Sequence, residues 1–494
     1  MSLRRTLVLA PVTLVLSVAL AACGSQLDPQ TVAAANGTTG LGGPGTTGQV
    51  GADGSVTGGG SGGSTGAGGD LGGGTGGTSG STTGGSGSTS GSDTGTTGGS
   101  GGGSGADDPI FNNPKINCNG FKNQTGITDD KIVIANVSDL SGPVPGIFQS
   151  SADAVKAFAM YFNANSDICG RKLEVLSLDS RADAGADQQA YAKACEQAFA
   201  AVGSMSAFDS GGAATAQGCG LPDIRAAAVT PERTNCTTCF GTQSTNASYF
   251  ENAVPDFILQ HYKEASQKGA FLYLNAGAAA VNGQAQIRAM TKRGINFVYT
   301  HGIDVDEFNY GPYVQQMKDK GVKYVQWLGS YQHGVRLAQE MQKEGFKPDL
   351  FMFDPVAYDS GFVESGGSAV DGVTSFMNFV PFEEASSNPE MQLYLKYLQQ
   401  VNPDAKPSFF GVFAWSAARL FVTEALSLGG NLSRGSLVDK VRGVDNWTAN
   451  GLHAPQHVGP EKLADCWRFL QLNNGKWTPS YGTKYTCTGS TSTS

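Results

Sequence analysis

From Gly24 to Ala106 the chain has no lysine, no arginine and no aromatic residue, and 34 of its 70 glycines fall within those 83 positions. With so little apolar surface to offset the entropy of ordering, that stretch cannot build a core and is expected to be disordered. A G-x-S-x-G match inside it, Gly59 to Gly63, has no strand before it and no helix after it, so it signals no nucleophile. Positive charge is scarce throughout. The 33 Lys and Arg against 42 Asp and Glu leave a net charge of −9 and a pI near 5.1, which excludes an electrostatic hold on nucleic acid or on anionic lipid. No G-x-x-x-x-G-K-[ST] phosphate loop is present. There are 5 histidines. The pair His453 and His457 has the spacing of one helix face, but Pro455 breaks that helix. Cys236 and Cys239 form a C-x-x-C with no second such pair to complete a zinc site. Neither a metal nor a cofactor is therefore expected.

At the start of the chain, Arg4 and Arg5 precede an apolar run from Leu7 to Leu20. This is the build of a secretory signal over residues 1–22, too short for a membrane span. Leu20-Ala21-Ala22-Cys23 resembles a bacterial lipobox. The resemblance implies that Cys23 is diacylated, begins the mature chain, and holds it on the extracytoplasmic face of the cell membrane. Residues 23–106 then act as a tether with a root-mean-square span of roughly 50 Å, suited to a thick-walled bacterium. Of the 9 cysteines, 8 remain once Cys23 carries lipid, and these can pair completely in an oxidising compartment. Short loops favour Cys118–Cys169, Cys195–Cys219, Cys236–Cys239 and Cys466–Cys487.

Residues 107–494 number 388, beyond the size at which one core usually keeps growing, so two domains are expected. Apolar runs alternate with amphipathic stretches. Strands are expected at 131–137, 172–178, 207–209 and 225–229, with helices around Val155–Phe162 and at 188–200. A second series places strands at 271–274, 297–300, 322–328 and 350–353, with helices at 284–293, 312–320 and 335–345. Gly294, Gly321 and Gly345 follow those helices as C′ residues. Two such series predict an α/β protein of two doubly wound, Rossmann-like lobes joined by a hinge, with a ligand held where the strand ends of the lobes face each other.

The order Ser141-Gly142-Pro143-Val144, Gly170-Arg171-Lys172-Leu173, Tyr313–Lys318 and Phe413-Ala414-Trp415-Ser416-Ala417 resembles the type I solute-binding proteins of ABC importers, in the leucine/isoleucine/valine-binding family. The likeness spans about residues 127–485. It implies a Venus-flytrap domain with lobe 1 at about 127–249 and 378–455, and lobe 2 at about 250–377 and 456–487. It implies a monomer without enzymatic activity that captures an amino acid or related polar compound and passes it to an ABC permease with its ATPase. In that family the ligand carboxylate is held after the third and fourth strands, which carries over to Ser210, Gly211 and Thr234. A second-lobe Tyr carries over to Tyr331. The family Glu that meets the ligand ammonium is Val356 here, and another family Tyr is Ala280, so a simple leucine-like ligand fits less well. Asp354 and Asp359 are the acids beside Val356 that could take over, or could merely cap turns. Phe148, Tyr331 and Tyr358 lie on strand-end loops facing the expected cleft. Two other function classes compete: a ligand sensor of the same fold, and a thiol oxidoreductase using Cys236 and Cys239. The second is disfavoured because that pair is expected in a polar loop, Asn235 to Ser244, without a strand just before it.

Overall fold

The computed structural model describes Asp108 and residues 116–494. The expectations for the signal at 1–22, for Cys23 and for the tether lie outside the described residues.

A first sheet is formed by β1 (Lys131–Ser138), β2 (Lys172–Asp179), β3 (Ala200–Val202), β4 (Asp223–Ala227) and β5 (Cys239–Gln243), with the inner strands β3 and β4 buried on both faces. Its strands are all parallel, in the order β2-β1-β3-β4-β5. Among them run α1 (Gln149–Asn165), α2 (Ala184–Gln197), α3 (Ser210–Gly218) and the single turn α4 (Pro231–Thr234). A short strand, β6 (Tyr249–Glu251), and α5 (Ala253–His261) lead into the second sheet. There β7 (Gly269–Leu274), α6 (Gly277–Lys292), β8 (Phe297–Ile303), α7 (Gly311–Asp319), β9 (Tyr324–Leu328), α8 (Tyr331–Lys343), β10 (Leu350–Phe353), α9 (Ser360–Gly366) and β11 (Thr374–Met377) follow in turn. The parallel order β8-β7-β9-β10-β11 repeats the winding of the first sheet.

After β11 the chain returns to the first lobe as α10 (Pro389–Val401), α11 (Phe409–Leu428) and α12 (Arg434–Arg442), with α10 and α11 on α1 and α11 also on β4. By length and composition α11 could cross a membrane, but 83% of its apolar window is buried inside the molecule. It is the core helix of this lobe. The chain then crosses back to β12 (Cys466–Asn473) and β13 (Lys476–Thr478), which extend the second sheet antiparallel. Of the last two strands, β14 (Thr486–Cys487) pairs with β12, and β15 (Ser490–Ser492) pairs with β6.

Local chemistry explains the helix ends. Gly294, Gly321 and Gly345 sit at φ of 104°, 63° and 64° just past α6, α7 and α8, the left-handed C′ geometry that glycine adopts without strain. The buried arginines of the first lobe are paired with acids. Arg233 reaches Asp187 at 3.0 Å and Asp223 at 2.9 Å, and Arg419 reaches Glu390 at 2.6 Å and Asp108 at 2.8 Å. Four disulfides join Cys118 to Cys169, Cys195 to Cys219, Cys236 to Cys239 and Cys466 to Cys487.

Two sequence expectations need correction. The strand expected at 207–209 lies earlier, as β3 at Ala200–Val202. The alanine-rich Ala198–Val202 reads as the end of a helix by propensity, yet it pairs between β1 and β4 because tertiary burial decides the matter. The polar stretch from Asn235 to Ser244 contains β5, an edge strand.

Candidate functional site

Both sheets are wound 2-1-3-4-5, so each has a switch point, between β1 and β3 in the first and between β7 and β9 in the second. Loops leaving adjacent strands part there and open a crevice at the carboxyl ends. The two crevices face each other around a cavity of about 620 Å³. The loops after β1 and β3 bring Phe148, Met205 and Ala207 to its wall, and those after β7 and β9 bring Ala276 and Ser330. A smaller chamber of about 330 Å³ shares Ile147, Pro355, Val356, Phe409 and Phe410 with it.

Across this cleft the lobes touch. The Ala278 N–H donates to Ala207 O at 2.8 Å, and Asn282 Nδ2 donates to Val229 O at 2.9 Å. At the outer edge Lys406 Nζ lies 2.6 Å from Glu364 Oε1, an exposed pair. Gly277, at φ 48°, lets α6 start close against the first lobe, since a Cβ there would lie 2.4 Å from Ala207 O.

The wall of the larger cavity carries several aromatic rings. Phe148 meets Phe410 edge-on at 4.6 Å, and Phe376 meets Trp467 edge-on at 5.3 Å. Its charged residues are Asp183, Glu251, Asp306 and Asp354, and among the described residues no Lys, Arg or His lines it. Asp183 is occupied, accepting from Ala186 N at 2.8 Å as the cap of α2. Asp354 accepts from Val356 N at 3.2 Å. Burial raises the Asp354 carboxyl to about 7. Burial, with the Asp354 charge adding to it, raises Glu251 to about 8. Neither acid forms an ion pair among the described residues. Gln286 Oε1, also on this wall, is a buried acceptor without a hydrogen-bond partner among them.

Of the residues singled out from sequence, Phe148 and Asp354 line the larger cavity, while Tyr331, Tyr358 and Asp359 line the smaller one. The Tyr358 hydroxyl is already engaged, donating to Glu383 and accepting from Phe382 N. Asp359 caps α9, accepting from Gly361 N at 2.7 Å. Ser210, Gly211 and Thr234 line neither chamber. With β3 ending at Val202, its loop brings Met205, Ala207 and Phe208 to the cleft, and Ser210 opens α3. Thr234 donates to Thr230 O at 2.7 Å, and the fourth-strand loop contributes Val229.

Cys236 and Cys239 are 3% and 1% exposed and joined to each other, which leaves no accessible thiol for exchange. His453 and His457 turn to different partners, Ser416 and Asp445. The sequence reading missed Glu251, Phe376, Trp467 and Asn282. Glu251 and Trp467 lie where the chain crosses between the sheets, on segments without the periodicity that marks a strand-end loop.

A protein-family model described as periplasmic binding protein matches residues 131–476. No curated protein matches the chain. Among solved structures, a fatty acid ABC transporter substrate-binding protein from Thermomonospora curvata has a TM-score of 0.63 at 14% identity, covering 75% of this chain and 95% of its own. LivJ, the branched-chain amino acid transporter substrate-binding protein from Streptococcus pneumoniae, in complex with isoleucine, has 0.60 at 14%, covering 73% and 100%. An ABC transporter solute-binding protein from R. palustris in complex with benzoate has 0.60 at 15%, covering 73% and 98%. At these identities the likeness concerns the fold.

Proposed function

Because the chain belongs to the periplasmic binding protein family, we propose that it is a binding protein without enzymatic activity that closes two lobes on a small organic ligand and hands it to an ABC permease. The observation that carries this reading is the cavity at the meeting of the two switch points, walled by both lobes. A ligand there touches both lobes only when they are closed, so its differential affinity drives closure. At about 620 Å³ the space suits a small molecule. The rings on its wall favour a ligand with an apolar body, consistent with neighbours whose names carry isoleucine, benzoate and fatty acid. The chain is held at the membrane by lipid on Cys23, and residues 23–106 give the domain reach.

A thermal-shift screen of the full chain against amino acids, amines, aromatic acids and fatty acids tests this. A ligand at 100 times its Kd stabilises by about 2.7 kcal/mol, which a melting curve resolves readily. No shift with any class, together with no change in lobe separation, would contradict the reading.

A further inference from the structure

We propose that the larger cavity selects an organic cation, a protonated amine on an apolar body, with Glu251 and Asp354 taking the ammonium and Phe376 and Trp467 facing the hydrocarbon. This rests on the solute-binding reading above and narrows it.

Elsewhere buried acids meet an arginine or several hydrogen bonds, as Asp139 does with Ser180, Ala182 N and Ala207 N. Asp187 and Asp223 meet Arg233, and Glu390 meets Arg419. Glu251 is 4% exposed and on the cavity wall, yet among the described residues its carboxylate is met only by its own backbone N–H. Asp354, just after β10, lines the same cavity, and its carboxylate accepts from Val356 N at 3.2 Å. Two like charges facing one apolar space without a cation are strongly unfavourable, and a bound ammonium relieves both at once. Burial holds both carboxyls above the usual carboxylate range, and the Asp354 charge adds to it at Glu251. The other ionisable groups on the wall are Asp183, Asp306 and Tyr249, and none is a cation that could welcome an anion. Gln286 Oε1 adds a neutral acceptor, again matched by a donor-rich ligand. Aromatic rings beside the acids suit the same guest, since their faces attract cations as well as hydrocarbon. A carboxylate ligand would bring a further negative charge into this space. A zwitterionic amino acid would satisfy the pair but leave its own carboxylate among acids.

Calorimetry of the full chain at pH 7.5 with 2-phenylethylamine, L-phenylalanine and 3-phenylpropionate tests the proposal, because the three share a ring and differ in charge. The expected order is amine tightest, zwitterion weaker, and no detectable binding of the carboxylate. Glu251→Gln and Asp354→Asn should each weaken the amine about tenfold or more, as loss of a charged hydrogen-bond partner does. Should either variant fail to fold by circular dichroism, the order of the three probes on the unmodified chain decides. The carboxylate binding as tightly as the amine, amine affinity unchanged in both variants, or no amine binding at all would each overturn the assignment. Carboxylate binding with lobe closure would sink the cation proposal and leave the solute-binding reading standing. Absence of any ligand-driven closure across the wider screen would sink that reading instead.

Discussion

At Glu251 the protein keeps an acid that folding makes harder to ionise. A carboxyl raised to about 8 by burial holds its proton in the folded chain where the unfolded chain, near 4.5, has already released it. Between those values the folded state binds more protons, so the ligand-free protein loses stability as pH rises through about 4.5 to 8. Asp354, raised to about 7, acts in the same direction. Glu251→Gln removes its share, and urea midpoints at pH 5 and pH 8.5 should differ less in the variant than in the parent. An equal difference would mean that Glu251 is not strained by burial. Cys23→Ser tests the other residue-scale proposal: the variant should lose membrane association or remain uncleaved, since diacyl anchoring is stable where one chain is marginal. Equal membrane retention and processing of both proteins would contradict it. Phe148 and Asp354 could be read from sequence because each follows a strand with an unmistakable apolar run. Glu251 could not, since the three-residue β6 owes its place to pairing with β15, far along the chain.

The elements repeat the same lesson with a different cause. Strands β1, β2 and β10 stand out as apolar runs, and the glycines after α6, α7 and α8 mark where those helices stop. The stretch Ala198–Val202 carries helix-forming alanines on a strand, so the loop after the third strand starts earlier than the sequence suggests and brings Met205, Ala207 and Phe208 to the cavity. At the start of α6, Gly277→Ala should separate folding from closure. An L-residue at φ 48° costs about 1–2 kcal/mol, but its Cβ would also press on Ala207 O across the cleft. Thermal stability should fall modestly and ligand affinity by much more; affinity unchanged would mean that this contact does not belong to the ligand-bound form. Four disulfides tie neighbouring elements. Thiol titration of the denatured, unreduced chain should therefore find close to none, and two or more free thiols would reopen a redox role for Cys236 and Cys239.

On the scale of the whole molecule, two sheets of identical winding face each other across the cavity. The chain passes between them three times: after Gln243, after Met377 and before Cys466. We take these passages as the hinge, since each could rotate while the sheets stay rigid. In the form described here the lobes are in contact through Ala207, Val229 and Lys406 on one side and Ala278, Asn282 and Glu364 on the other, as a closed flytrap requires. The central claim is that ligand drives this closure. The most direct measurement is the distance between spin labels at Asp404→Cys and Ser365→Cys, exposed positions on opposite lobes at the cleft edge, with the disulfides left oxidised. With the compound that stabilises the full chain most, the distance distribution should collapse from a broad or long population to a single short one. An unchanged distribution at saturating ligand would contradict the account.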